Sequence, residues 1–352
     1  MALRAGNNWA TGEWLINYAG GFVRRGFFGE LLLRLTPEGN SAIYVLLLLQ
    51  FAFVVYIWIF LLQFAAKNTF SSNSLILILS PAGISFLSWD KYLYVRKEIL
   101  GIVLVIFVFK LLNLELKVQL KMILANLAFV WVVLSSEVNL FFLPSLIFLI
   151  ATSKTIERLH KVYWIFSFLL VSSILVFVTV AYSGNLETSS SVCTRLLEHG
   201  LQPDMNCRGA VAMIGVTLGE AFEHVVSNLP GSLIYFLILI FSLFPIYKCW
   251  PRDVTKVWIA AVFLGVSPLF FIAWDYGRWV FIIFFQLSLI VIFGSREEVL
   301  KLGPKSTNGL ILVGYTTLWG FAHTGNVISN GWIGLFPSSA RYLVDLYELL
   351  NP

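Results

Sequence analysis

Between residues 17 and 35 the chain reads NYAGGFVRRGFFGELLLRL, setting adjacent Arg24 and Arg25 and the carboxylate of Glu30 among glycines and phenylalanines. A guanidinium is a planar fork that grips phosphate or carboxylate through two parallel bonds. Gly20, Gly21, Gly26 and Gly29 weaken a helix and permit close backbone approach, so the stretch can bend to present Arg24, Arg25 and Glu30 to a cavity. The competing reading is an interfacial amphipathic helix whose phenylalanines enter lipid while its arginines reach the head groups. Three more stretches gather charge in the same way. WDKYLYVRKEIL, 89–100, holds Asp90, Arg96, Lys97 and Glu98 with Tyr92 and Tyr94. A helix start favours the acid but not the cations, so either a bound anion or a salt-bridged interfacial turn accounts for them. SSEVNLFF, 135–142, places Glu137 alone between apolar segments, where a carboxylate is functional, paired, or part of a cap with Ser135 and Ser136. AWDYGRW, 273–279, sets Asp275 and Arg278 among Trp274, Tyr276 and Trp279. These two charges either pair across their i,i+3 spacing or join the rings in a sugar-binding groove. A sugar offers hydroxyls to the charges and C–H faces to the rings. His323 in FAHTGN titrates near neutrality and is a candidate base, and Arg341 in SSARYL completes the polar set.

The elements that must position these residues are membrane helices. Hydrophobic residues make up 59% of the 352, charged residues 12%, and mean hydropathy is +0.84. A soluble domain carries about 25% charged residues, so the composition is that of an integral membrane protein. The apolar runs do not alternate, which excludes barrel strands and leaves an all-α polytopic fold. With about 20 apolar residues needed per span, segments near 42–66, 74–89, 99–114, 120–135, 139–153, 162–183, 231–247, 257–274, 279–294 and 307–322 predict about ten transmembrane helices. Pro81, Gly83 and Ser85 predict a broken or tilted helix in the second. No internal repeat is evident, which weighs against an inverted-repeat transporter. No part of the first 41 residues has a signal peptide's apolar core and cleavage site. Residues 1–41 are therefore expected as an interfacial or re-entrant segment of a single membrane domain (1–352).

The connections divide the cations by type. Lys67, Lys110, Lys117, Lys121, Lys154, Lys161, Lys248, Lys256, Lys301 and Lys305, with Arg158, Arg252 and Arg296, mark the cytoplasmic face. The opposite face takes Arg4, Arg24, Arg25, Arg34, Arg96, Arg195, Arg208, Arg278 and Arg341, against only Lys91 and Lys97. Lysine serves as a topological anchor, and a face that prefers arginine reads as a site. The outer loop, 184–230, is long enough to act as a lid. Its Cys193 and Cys207 can close a disulfide in an oxidising compartment, while Cys249 beside Lys248 stays reduced. No cysteine spacing suits zinc or an iron–sulfur cluster, and no metal is expected.

If the four stretches converge, they form an arginine-rich cavity lined by carboxylates and aromatic rings. Arginines there would stabilise a diphosphate leaving group, with Lys97 among the substrate contacts. Glu137, Asp275 or His323 would deprotonate an attacking sugar hydroxyl. Glu30, Asp90, Glu98, Tyr276 and Arg341 would complete the substrate contacts. With NYAGGFVRRGFFGE, YVRKE and DYGRW on this plan of spans and late outer loop, the chain resembles Wzy-type O-antigen polymerases. The resemblance implies polymerisation of lipid-linked oligosaccharide repeat units from an undecaprenyl-diphosphate donor at the periplasmic face of a bacterial inner membrane. It implies Arg24, Arg25, Arg96 and Arg278 as diphosphate contacts and needs no cofactor. Its partners would be the lipid-linked donor and acceptor, membrane lipids and a chain-length regulator or flippase, with no nucleic acid. A polyprenyl-phosphate-sugar-dependent glycosyltransferase is the alternative; it calls for an acidic pair on the first outer loop, where the chain offers Glu13, Glu30 and Glu38. A glycolipid flippase would instead line a deep central cavity with charge.

Overall fold

An apolar stretch in lipid must bond its own backbone, and a helix does so within one segment. In the computed structural model the described residues, 8–67, 72–83, 86, 95–229, 233–273, 275–294 and 309–317, form helices and turns with no strand. Four helices are long and apolar enough to cross a membrane: Ser41–Phe64, Val118–Ser135, Arg158–Ala181 and Tyr276–Gly294. The chain is thus an all-helical protein with membrane-spanning helices, but the described residues do not supply ten continuous spans. Proline interrupts three of the apolar runs. Helix Ser72–Leu79 stops before Pro81, Pro245 opens Phe244–Cys249 just after Ile234–Ser242 ends, and Pro268 separates Val257–Val266 from Leu269–Ile272. Each proline lacks the N–H that a continuing helix would need, while its fixed φ suits a helix start.

By its contacts the chain divides into two compact units. One comprises Met1–Ile57 and Val95–Thr217, the other Trp58–Tyr94 and Leu218–Pro352.

In the first unit, Val118–Ser135 lies against Glu98–Leu112, Arg158–Ala181 and Gly26–Leu35. Phe129 meets Phe168 edge to face at 5.1 Å, and Trp164 is fully buried. Outward faces stay apolar: Phe166 and Phe177 on Arg158–Ala181, and Leu48 and Phe51 on Ser41–Lys67, are exposed, as lipid-facing residues should be. The unit has chemically distinct ends. At one, Lys121 Nζ donates to the Leu112 carbonyl (3.0 Å), Lys161 Nζ to that of Ala151 (3.1 Å), and Lys110 lies over Tyr56. Lysines there satisfy carbonyls that helix ends leave open. At the other end stand Lys97, Glu137 and Tyr182, beside the 8–35 segment.

In the second unit, Tyr276–Gly294 is buried from Tyr276 through Phe293, against Ile234–Ser242, Phe244–Cys249 and Val257–Val266. Ser72–Leu79 lies against Phe244–Cys249 and Gly309–Thr317.

Candidate anion site at the arginine end

Residues 8–25 form turns that bury Ala10, Trp14, Leu15, Ile16 and Val23, and the amphipathic helix that the sequence also allowed in 17–35 is present from Gly26 to Leu35. Trp14 Nε1 donates to the Val95 carbonyl (2.9 Å), and Gln50 Nε2 donates to the carbonyls of Ala10 and Val95. The glycines make this possible. A Cβ on Gly29 would sit 2.1 Å from the Ile16 carbonyl oxygen, and one on Gly26 would sit 2.3 Å from the Tyr18 ring. The turn segment can therefore lie flat on helix Gly26–Leu35, and the Arg24 N–H reaches the Tyr182 carbonyl at 2.9 Å.

Arg25, immediately before that helix, has φ 71°, in the left-handed region. A non-glycine residue there is strained, and such strain collects at functional sites. Lys97 Nζ holds the conformation by donating to the Arg25 carbonyl at 2.7 Å. Lys97 is fully buried at the start of Glu98–Leu112, and its own carbonyl accepts from Asn139 Nδ2 at 3.3 Å.

The Arg25 side chain then meets Glu137. Its Nε donates to both carboxylate oxygens, at 2.7 and 2.8 Å, and its Nη2 bonds Oε1. Arg24 Nη1 stands 3.9 Å from the same carboxylate. Behind Arg25 lies Glu13, 3.9 Å from Arg25 Nη1 and 2.6 Å from Arg96 Nε. Arg96 lies over the Trp9 ring. Arg24, Arg25, Arg96 and Lys97 thus gather around the carboxylates of Glu13 and Glu137, and these six side chains carry an excess of positive charge. Burial alone would raise the Glu137 pKa, but the Arg25 charge and its hydrogen bond outweigh that and hold it at about 2. Burial pushes Lys97 down to about 7, against the attraction of Glu13.

The other expected site residues fall in different places. Glu30 serves as a tie: it accepts from Arg34 at 2.5 Å, from Arg195 at 2.7 Å and from the Tyr18 N–H at 3.0 Å. Burial would raise its pKa, and those bonds lower it instead. Arg195 lies on Leu186–Glu198, the helix that carries Cys193. Cys193 pairs with Cys207 in a disulfide, and neighbouring Asn206 accepts from Thr11 at 2.9 Å. The 182–217 stretch is therefore folded against the N-terminal segment. Glu98 is buried one residue beyond Lys97. Asp275 and Arg278, in the second unit, pair as the i,i+3 alternative had it, with Arg278 over the Trp279 ring. Tyr276 is buried there and donates to the Phe270 carbonyl at 3.2 Å. Asp90, His323 and Arg341 lie outside the described residues.

Sequence reasoning gave Glu13 no place in the arginine site. Its only local signal is a carboxylate between Trp9 and Trp14, in a stretch otherwise apolar or small. Among the described residues no three His, Cys, Asp or Glu side chains come together as a metal site. No protein-family model, no curated protein and no solved structure matches the chain.

Proposed function

We propose that the chain is a membrane glycosyltransferase that extends a lipid-linked glycan, using a polyprenyl-diphosphate-linked donor. The observation that carries this is the gathering of Arg24, Arg25, Arg96 and Lys97 around Glu13 and Glu137, partly open at Arg24 and Arg25. In the proposed step the Glu137 carboxylate takes the proton of an acceptor sugar hydroxyl. That oxygen forms a bond to the donor's anomeric carbon as the bond from this carbon to the diphosphate oxygen breaks. The diphosphate leaves with the electron pair, and Arg24 and Arg25 stabilise its charge. Donor and acceptor are both lipid-linked oligosaccharides, so the product is a polymer of repeat units. The proposed location is the periplasmic face of a bacterial inner membrane, the oxidising side that suits Cys193–Cys207.

Arg24→Ala, Arg25→Ala and Arg96→Ala are each expected to abolish glycan chain extension in cells while the protein still inserts. Ladders of normal length from all three would overturn the proposal. One observation favours the second reading, transfer from a polyprenyl-phosphate sugar. Glu13, the acid on the first outer segment, lies near the same guanidinium as Glu137 and so supplies the missing member of a carboxylate pair. The two readings separate on metal dependence. Extension that survives a chelator supports the diphosphate donor. Loss restored by magnesium or manganese supports the phosphate-linked sugar.

A further inference from the structure

We propose that the Glu137 carboxylate occupies, in the unliganded protein, the place on Arg25 that a substrate phosphoryl group takes, so that binding exchanges one anion for another. The inference rests on the phosphate chemistry read above and locates it. Arg25 grips both oxygens of Glu137 through one edge of its fork, as a guanidinium grips phosphate. Arg24 stands 3.9 Å from the same carboxylate, so an anion at this position would meet two guanidiniums.

Access separates the two carboxylates. The side chains of Arg24, Arg25 and Glu137 are 27%, 24% and 15% exposed, whereas Glu13 is at 0% and paired with Arg96. Solvent reaches only Glu137, which makes it the exchangeable partner. Arg25 does not depend on Glu137 for its aim. Its backbone is fixed from the other side by Lys97 Nζ on its carbonyl, and Glu13 stands behind its guanidinium. Removing Glu137 therefore leaves a positioned fork. A partly exposed ion pair is weak. A phosphoryl group brings a second charge and three acceptor oxygens, so the exchange favours the ligand. The displaced carboxylate then stands beside the bound phosphate, released from the guanidinium that suppresses its basicity.

The test is binding of geranylgeranyl diphosphate to the purified full chain in detergent, measured by calorimetry. Glu137→Gln keeps the shape and removes the competing charge; it is expected to bind about fivefold tighter, the upper scale of losing one partly exposed ion pair. Glu137→Asp keeps the charge and is expected to bind no tighter than wild type, and Arg25→Ala is expected to lose binding. Unchanged or weaker binding by Glu137→Gln, or equal tightening by Glu137→Asp, overturns the exchange. If Arg25→Ala still loses binding in that case, the phosphate site stands without it. Equal affinity of wild type and Arg25→Ala removes the phosphate reading itself. Should Glu137→Gln fail to fold, infrared difference spectra of the wild type decide. Binding is expected to shift the carboxylate stretch from a guanidinium-paired to a free position, and an unmoved band overturns the exchange.

Discussion

With its amine buried and bonded to the Arg25 carbonyl, Lys97 titrates at about 7 in place of the ordinary 10.5. Between those two values the unfolded chain holds a proton that the folded chain has shed, so raising the pH through this window stabilises the fold. Below 7 the cost of burying the cation is present in full. For anion binding the sign is opposite, because the positive charge behind Arg25 fades as the pH rises past 7. Affinity for geranylgeranyl diphosphate is expected to fall by about tenfold from about pH 6 to about pH 9, the weight of one nearby charge in a partly solvated site. Lys97→Met is expected to bind more weakly at the lower pH and to lose the lysine-dependent part of that fall. The ligand's own ionisation adds negative charge over this range and works against the fall, so an equal fall in both proteins would take Lys97 out of its cause. The sequence named Lys97 for its charge beside a helix start, but its partner is a backbone carbonyl 72 positions earlier, which no local pattern encodes. The same holds for Arg25 and Glu137, 112 positions apart. Arginines and a lone membrane carboxylate are legible as types, whereas their pairing is a product of the fold.

At the scale of elements, the glycines at 21 and 29 separate conformation from contact. Gly21 has φ +94° with open space where a Cβ would point, so Gly21→Ala is expected to cost only the left-handed penalty, about 1 kcal/mol. Gly29 is helical, and alanine there gains about 1 kcal/mol in propensity. Its Cβ, however, would lie 2.1 Å from a backbone oxygen that cannot retreat without moving the 14–16 turn. The clash wins, and Gly29→Ala is expected to cost about 3 kcal/mol. Thermal unfolding in detergent checks the order, and equal midpoints for the two variants would refute it. Sequence reading anticipated close backbone approach at both glycines, and it occurs at Gly29 but not at Gly21. It did not anticipate that the approaching strand of chain would be the segment's own residues 14–16, because turns leave no periodic signature. The long apolar runs were easier: 42–66 became Ser41–Lys67 and 162–183 became Arg158–Ala181, since unbroken oil in lipid has one solution. Runs holding Pro245 or Pro268 were read through as continuous, and there the backbone won over hydropathy.

For the molecule as a whole, the division of cations by type is the most useful sequence property. In the first unit the lysines cap helix carbonyls at one end and the arginines meet carboxylates at the other. Cys193–Cys207 closes a loop of sequence separation 14 at the arginine end. A cross-link of that span contributes about 3 kcal/mol. The double variant Cys193→Ser with Cys207→Ser is expected to unfold earlier and to be cut faster by protease within 186–217. Cys249→Ser is expected to leave cutting within 186–217 unchanged, and equal cutting of the two variants there would leave the disulfide without this role.

The ties between the N-terminal segment and the 182–217 stretch also set an order of assembly. Arg24 bonds Tyr182, Glu30 bonds Arg195, and Thr11 bonds Asn206. None of these bonds can form until the ribosome has made the later partner and that partner has reached the same side of the membrane. Glu137, the partner of Arg25, is made before any of these three later partners. Residues 11–30 are therefore made well before the partners in 182–217 that tie them down.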